Sequence, residues 1–222
     1  MRILLAAATA MACAAPLWAE GDHGLTIPSL TAEVTPEAGL EAWDRLHEVF
    51  THPRCINCHV GEEAVPLWTT THGANPGETR PHGMNIHGGD SRVGAEYIDC
   101  GTCHVTSTRP NTTPGAPPHA GLDWQLAPLE FQWTGKTPAE ICAQVRDPER
   151  NGGRDGAGLI EHITHDAEVA GFITWGFTPG AGREPAPGSL QSHLDDTAAW
   201  VAAGMPCPGD PLPASAPTEA SE

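Results

Sequence analysis

The 222-residue sequence contains a single lysine, Lys136, a single tyrosine, Tyr97, and an aromatic content of only 5%. A docking surface built from a ring of lysines is therefore excluded, and partner recognition falls to carboxylates, arginines or exposed apolar groups. The formal charge of -17 offers no basic patch for phosphates, which excludes nucleic acid as a partner. Basic or neutral partners are expected, although solvation alone accounts for the acidity equally well. After the first residues there is no hydrophobic run long enough to cross a bilayer, so no integral membrane segment is expected in the mature chain. With 25 glycines and 22 prolines beside so few aromatics, the polypeptide core is thin. Large planar apolar cofactors would complete it.

Met1-Arg2-Ile3-Leu4-Leu5 and the alanine-rich run to Ala15 combine a positive start with a short apolar stretch, the pattern of an export signal. Leu17-Trp18-Ala19 places cleavage near Glu20, so residues 1–19 read as a signal peptide and the mature protein as periplasmic. Ala10-Met11-Ala12-Cys13 lacks the usual leucine of a lipoprotein site. Residues 20–207 then form one domain. Residues 208–222 have the Pro, Ala, Ser and Glu content of a disordered tail.

Helical signals are few and well punctuated. Thr35-Pro36 fits a cap and first helical position, with Leu40, Trp43, Leu46 and Phe50 at helical spacing until Pro53 stops the run. Thr137 and Glu140 fit a capping box opening a helix to about Arg146. Asp155 caps a further helix ending near Asp166, and a last one is expected from Leu190 to Ala203 before Gly204 and Pro206. Residues 60–99 and 105–133 are rich in Gly, Pro, Thr and His and read as long loops. The fold class is mainly α with long irregular loops and few or no strands.

Cys55-Ile56-Asn57-Cys58-His59 and Cys100-Gly101-Thr102-Cys103-His104 both match Cys-x-x-Cys-His, the attachment signature of a c-type haem. Two intervening residues put both thiols on one side of a helical turn, where they can add to the two vinyl groups, and the next imidazole can bind the iron. A four-cysteine zinc site or a pair of redox dithiols would need no histidine after each second cysteine. The expectation is a compact dihaem cytochrome c, with covalent haems on Cys55, Cys58, Cys100 and Cys103 and proximal ligands His59 and His104.

The sixth ligand of each iron decides between electron transfer and chemistry. His82, in the loop between the motifs, and His162, on the helix carrying Leu159 and Ile163 and so able to face the interior, are the chosen distal ligands. His52, His87, His165 and Met84 are the fallbacks, with His52 equally suited to a cap. Cys142 and Cys207 remain once the motifs are subtracted, and in an oxidising compartment they are expected to form a disulfide. Trp133, Phe172, Trp175 and Trp200 read as core or haem-wall residues.

Phe50-Thr51-His52-Pro53-Arg54 before the first motif, Arg80-Pro81-His82-Gly83-Met84-Asn85, Arg146-Asp147-Pro148, Asn151-Gly152-Gly153-Arg154, Glu161-His162 and Ala199-Trp200-Val201-Ala202-Ala203-Gly204 together resemble a family of small exported dihaem cytochromes. Members are labelled isoquinoline 1-oxidoreductase subunits. The resemblance spans about residues 40–207. It implies an electron-transfer role beside a molybdenum hydroxylase or another periplasmic dehydrogenase, and it adds weight to His82 and His162 rather than His119 and His193. The functional expectation is a non-catalytic carrier of electrons between a periplasmic oxidoreductase and the respiratory chain. Its rival is a dihaem redox enzyme or haem-based sensor with one open iron site.

Overall fold

The structure, a computed structural model, describes residues 24–70, 77–95 and 97–212. The expected signal peptide lies outside them, as does the part of the expected tail beyond residue 212. Six helices are described: α1 (Pro36–Thr51), α2 (Pro53–Ile56), α3 (Pro138–Arg146), α4 (Gly156–Val169), α5 (Phe172–Phe177) and α6 (Leu190–Ala202). The rest is mostly loop. Two small antiparallel ribbons interrupt the loop between the cysteine motifs: β1 (Leu67–Thr69) pairs with β2 (Thr79–Pro81), and β3 (Gly94–Ala95) with β4 (Ile98–Asp99). The fold is mainly helical, as expected.

Capping chemistry fixes most helix starts. The Thr35 hydroxyl accepts from the Ala38 amide at 3.2 Å and Pro36 occupies the first turn of α1. Thr137 and Glu140 form the expected capping box of α3, and Asp155 accepts from the Gly158 amide at the head of α4. A second capping box, Ser189 with Ser192, opens α6 and lacked the Glu or Gln that would have advertised it. Helix α5 was not expected from the sequence. The buried Asp166 carboxylate starts it by accepting from the Ile173 and Thr174 amides at 3.0 and 2.7 Å, and α4 runs on to Val169 instead of ending at Asp166. Gly171 is required there, because a Cβ would lie 2.3 Å from that carboxylate.

The main core joins α1, α3 and α6 through Trp43, Leu46, Trp133, Ile141 and Trp200, with the disulfide of Cys142 and Cys207 inside it. Trp43 and Trp200 lie 5.2 Å apart between ring centres, and Trp200 donates to the Pro206 carbonyl at 2.9 Å. A second cluster packs Ile160 and Ile163 of α4 on Leu194 and Ala198 of α6. A third, of Val60, Ala64 and Leu126, supports the loops. Helices α1 and α6 approach closely at Gly39, where a Cβ would fall 2.3 Å from the Ala203 Cβ. Gly39→Val is therefore expected to cost about 1–3 kcal/mol of stability by forcing the helices apart. A lowered urea midpoint with unchanged helical circular dichroism at zero denaturant checks this.

The expected tail starts later than residue 208. Asp210 accepts from the Cys207 amide at 2.9 Å and pairs with Arg146, so the chain stays fixed to α3 past the disulfide.

Candidate haem sites

Both cysteine motifs begin as capped helical turns. His52 caps α2 by accepting from the Arg54 amide on its Nδ1 at 3.3 Å. Asp99 does the same for the 3₁₀ turn Cys100–Thr102, accepting from the Gly101 amide at 2.6 Å. In each motif the second cysteine's amide donates to the carbonyl of the first at 3.1 Å. This shared turn is what brings two thiols to one side ahead of an imidazole. The four motif cysteines are free thiols, unlike Cys142 and Cys207.

The histidines of the two motifs are held alike. His59 donates from Nδ1 to the Phe131 carbonyl at 2.8 Å and stacks flat on Trp133 at 3.5 Å. His104 donates from Nδ1 to the Pro118 carbonyl at 2.8 Å and lies against Trp124 at 4.7 Å, with 11° between planes. A carbonyl on Nδ1 fixes the tautomer and leaves the Nε2 lone pair for a metal. Burial lowers the pKa of both, that of His59 to about 4, so its ring is neutral at pH 7. Burial, reinforced by the neighbouring thiols, pushes Cys55 up to about 12 and Cys58 up to about 11, which keeps them as thiols.

His82 lies beside the second motif. It lines one cleft, open to solvent, with Cys100, Cys103, His104, Trp124 and Leu126. The His82 and His104 ring centres are 6.1 Å apart. Two imidazoles bound to opposite sides of one metal at the usual ~2 Å have centres about 6 Å apart. His82 also donates from Nδ1 to the Gly83 carbonyl at 2.9 Å, which leaves its Nε2 free as well. These residues fit a haem with two axial histidines.

The surroundings of the first motif are outlined by a circuit of aromatic contacts. Trp133 meets Phe50 at 4.6 Å, Phe50 meets His193 at 5.8 Å, and His193 meets Phe177 at 5.5 Å. Gly176, next to Phe177, comes back to Cys55, because a Cβ there would sit 4.0 Å from its Sγ. Among the described residues no histidine ring is paired with His59 as His82 is with His104. The two motifs adjoin, since Cys58 packs on the cluster containing Leu126, which also lines the second cleft.

His162 does not face the interior. The buried stripe of α4 is Gly156, Ile160, Ile163 and Thr164, and two residues beyond Ile160 the helix has turned about 200°, so the ring is exposed. The surrounding protein still lowers its pKa through desolvation. Of the fallbacks, His52 is a cap, His165 pairs with Glu168 at 3.5 Å on the surface, His87 meets Tyr97 edge-on at 5.6 Å, and Met84 is 74% exposed. His119 donates from Nδ1 to the Ser107 carbonyl at 3.3 Å. Sequence reasoning passed over His193, which is buried with an unpartnered Nδ1 and a pKa lowered to about 4 by desolvation. Its place on the apolar side of α6 was the available signal.

Among the described residues no three His, Cys, Asp or Glu side chains are placed to hold a metal, so the four thiols do not converge as a zinc site requires. A haem iron needs only two ligands from the protein. No described helix is long and apolar enough to cross a membrane. No protein-family model matches this chain, and comparisons with curated proteins and with solved structures found no match.

Proposed function

We propose that this chain is an exported c-type cytochrome carrying two covalent haems, one on Cys55 and Cys58 with His59 as proximal ligand, the other on Cys100 and Cys103 with His104. The observation that carries the proposal is the second cleft, where two thiols, a proximal imidazole and a second imidazole at 6.1 Å share one apolar space. When bound, each haem supplies an iron that takes up one electron on going from ferric to ferrous and releases it again. Each cysteine adds its S–H across a vinyl double bond, so a C–S bond forms, the hydrogen ends on the neighbouring vinyl carbon, and no oxidant is consumed. His59 and His104 would bind iron through Nε2, with Trp133 and Trp124 holding their rings in place. His82 would be the distal ligand of the second haem, and His162 is the candidate for the first.

With both sixth positions filled, small substrates are excluded and the protein passes electrons between a periplasmic oxidoreductase, such as a molybdenum hydroxylase, and the respiratory chain. The four ionised propionates of two haems would add to an already acidic chain and favour basic or neutral partners. The lack of a histidine ring paired with His59 favours a second reading, a redox enzyme or gas sensor with one open iron. Carbon monoxide binding by the reduced protein separates the two.

Intact-mass measurement of the processed protein, matured in a host that attaches c-type haem, is expected to exceed the polypeptide mass by two haems. A bare polypeptide mass, or zinc in place of iron, would sink the proposal.

A further inference from the structure

Outside the motif itself, two side chains lining the second cleft carry an atom that binds haem iron, the His82 imidazole and the Met84 thioether. They stand two residues apart on one loop. The ends of that loop are fixed to the stretch after the first motif, where the His82 amide donates to the Pro66 carbonyl at 2.8 Å and the Gly88 amide to the Ala64 carbonyl at 2.6 Å. Between them Gly83–Asn85 makes a 3₁₀ turn in which Met84 and Asn85 both lie in the left-handed region, at φ +64° and +55°. Asparagine visits that region with some ease. Methionine does so rarely, and a residue in such a conformation persists where its surroundings hold it. The turn puts His82 beside His104, with ring centres 6.1 Å apart, and leaves Met84 74% exposed.

Tyr97, the single tyrosine of the chain, grips this turn. Its hydroxyl donates to the Asn85 carbonyl at 2.6 Å, and its ring meets His87, two residues beyond Asn85, edge-on at 5.6 Å. Tyr97 stands directly before β4, and β4 runs into Cys100, whose amide donates to the Val93 carbonyl at 2.8 Å. One hydroxyl therefore ties the loop carrying His82 to the strand that delivers the first cysteine of the second motif. Tyr97 is 61% exposed, so this bond competes with water and adds little to the stability of the whole fold. Its effect is local to the turn.

We infer that Tyr97 is a positioning residue for the sixth ligand of the second haem, its hydroxyl holding the 83–85 turn so that His82 takes the iron and Met84 stays at the rim. The inference rests on the two-haem reading above, with His82 as the distal ligand. Without the hydroxyl the Asn85 carbonyl loses its partner, and Met84 is released from the left-handed region. Only Gly83 separates the two ligand residues, so a backbone rotation within the turn is enough to exchange one for the other. The choice matters because a thioether in place of an imidazole raises the potential of a c-type haem.

The test compares the haem-loaded full chain with Tyr97→Phe, which removes the hydroxyl and keeps the ring, with mass counting the haems in each. Tyr97→Phe is expected to develop the sulfur-to-iron charge-transfer band of a methionine-ligated ferric haem and to raise the midpoint potential of one haem, leaving the other in place. Tyr97→Phe combined with Met84→Leu should lose that band, which assigns the sulfur to Met84 and not to Met205. A tyrosine that merely stabilised the fold would lower the denaturant midpoint and leave ligation and both potentials as they are in the wild type. That result would overturn the inference. So would a Tyr97→Phe protein that turns high-spin with no sulfur band, a band that survives Met84→Leu, or a Tyr97→Phe protein that takes up fewer haems than the wild type, since the hydroxyl would then act on something other than the choice of ligand. A sulfur band in the wild type would overturn it too, with the two haems still in place. A wild type without two haems would instead fail the proposed function itself, before Tyr97 is reached.

Discussion

His82→Ala is expected to convert one of the two haems from six-coordinate low-spin to five-coordinate or water-ligated iron while leaving the other untouched. The haem on Cys100 and Cys103 would keep its thioethers, the His104 bond and the Trp124 wall, so the variant should still exceed its own polypeptide mass by two haems. It would lose only the imidazole that lines the same cleft 6.1 Å from His104. Near-infrared bands of bis-histidine iron should fall to the contribution of a single haem, and carbon monoxide should bind one further equivalent of ferrous haem than in the wild type. Met84→Leu is the control, because Met84 reaches the cleft but is mostly exposed. Unchanged low-spin spectra in His82→Ala would assign the ligand elsewhere, with His87 next to be replaced.

The parts of these sites legible in the sequence are those that depend on covalent spacing. Cys-x-x-Cys-His fixes the thiols and the proximal imidazole within one short turn, so a string of five residues suffices. The carbonyls of Phe131 and Pro118 that orient His59 and His104 are backbone groups and leave no mark on composition. Trp124 lies in the proline-rich loop after the second motif, and it packs on His104 as Trp133 does on His59.

Periodicity served α1, α3, α4 and α6 because their ends carry their own caps and their apolar faces repeat. It failed for α5, a six-residue helix whose start is set by Asp166 from the preceding helix. It also misled on His162. Sharing a helix with Leu159 and Ile163 does not place a residue on their face, and Ile160 and Ile163 define a buried stripe that His162 lies opposite. His193, on the same side of α6 as the buried Leu194 and Thr197, followed the rule that His162 broke.

Removing the disulfide with Cys142→Ala and Cys207→Ala is expected to cost about 4 kcal/mol, because the bond closes a loop of 65 residues and so limits the unfolded chain. That is a large share of the ~5–15 kcal/mol that holds a typical domain together. The effect should concentrate at the C-terminal segment, where the Pro206 carbonyl accepts from Trp200 and Asp210 pairs with Arg146. With the bond gone, these contacts alone would hold residues 205–212 to the core, and hydrogen exchange there should quicken before the rest of α3 and α6 opens. Both haems should stay attached, since the bridge shares no cysteine with either motif. A denaturant midpoint that is the same with and without the bond, or two alkylatable thiols in the unreduced, denatured wild type, would remove the bridge as a source of stability. The first result would shift the burden of closing the chain onto the haems, whose attachment at Cys55 and Cys100 ties only the N-terminal half.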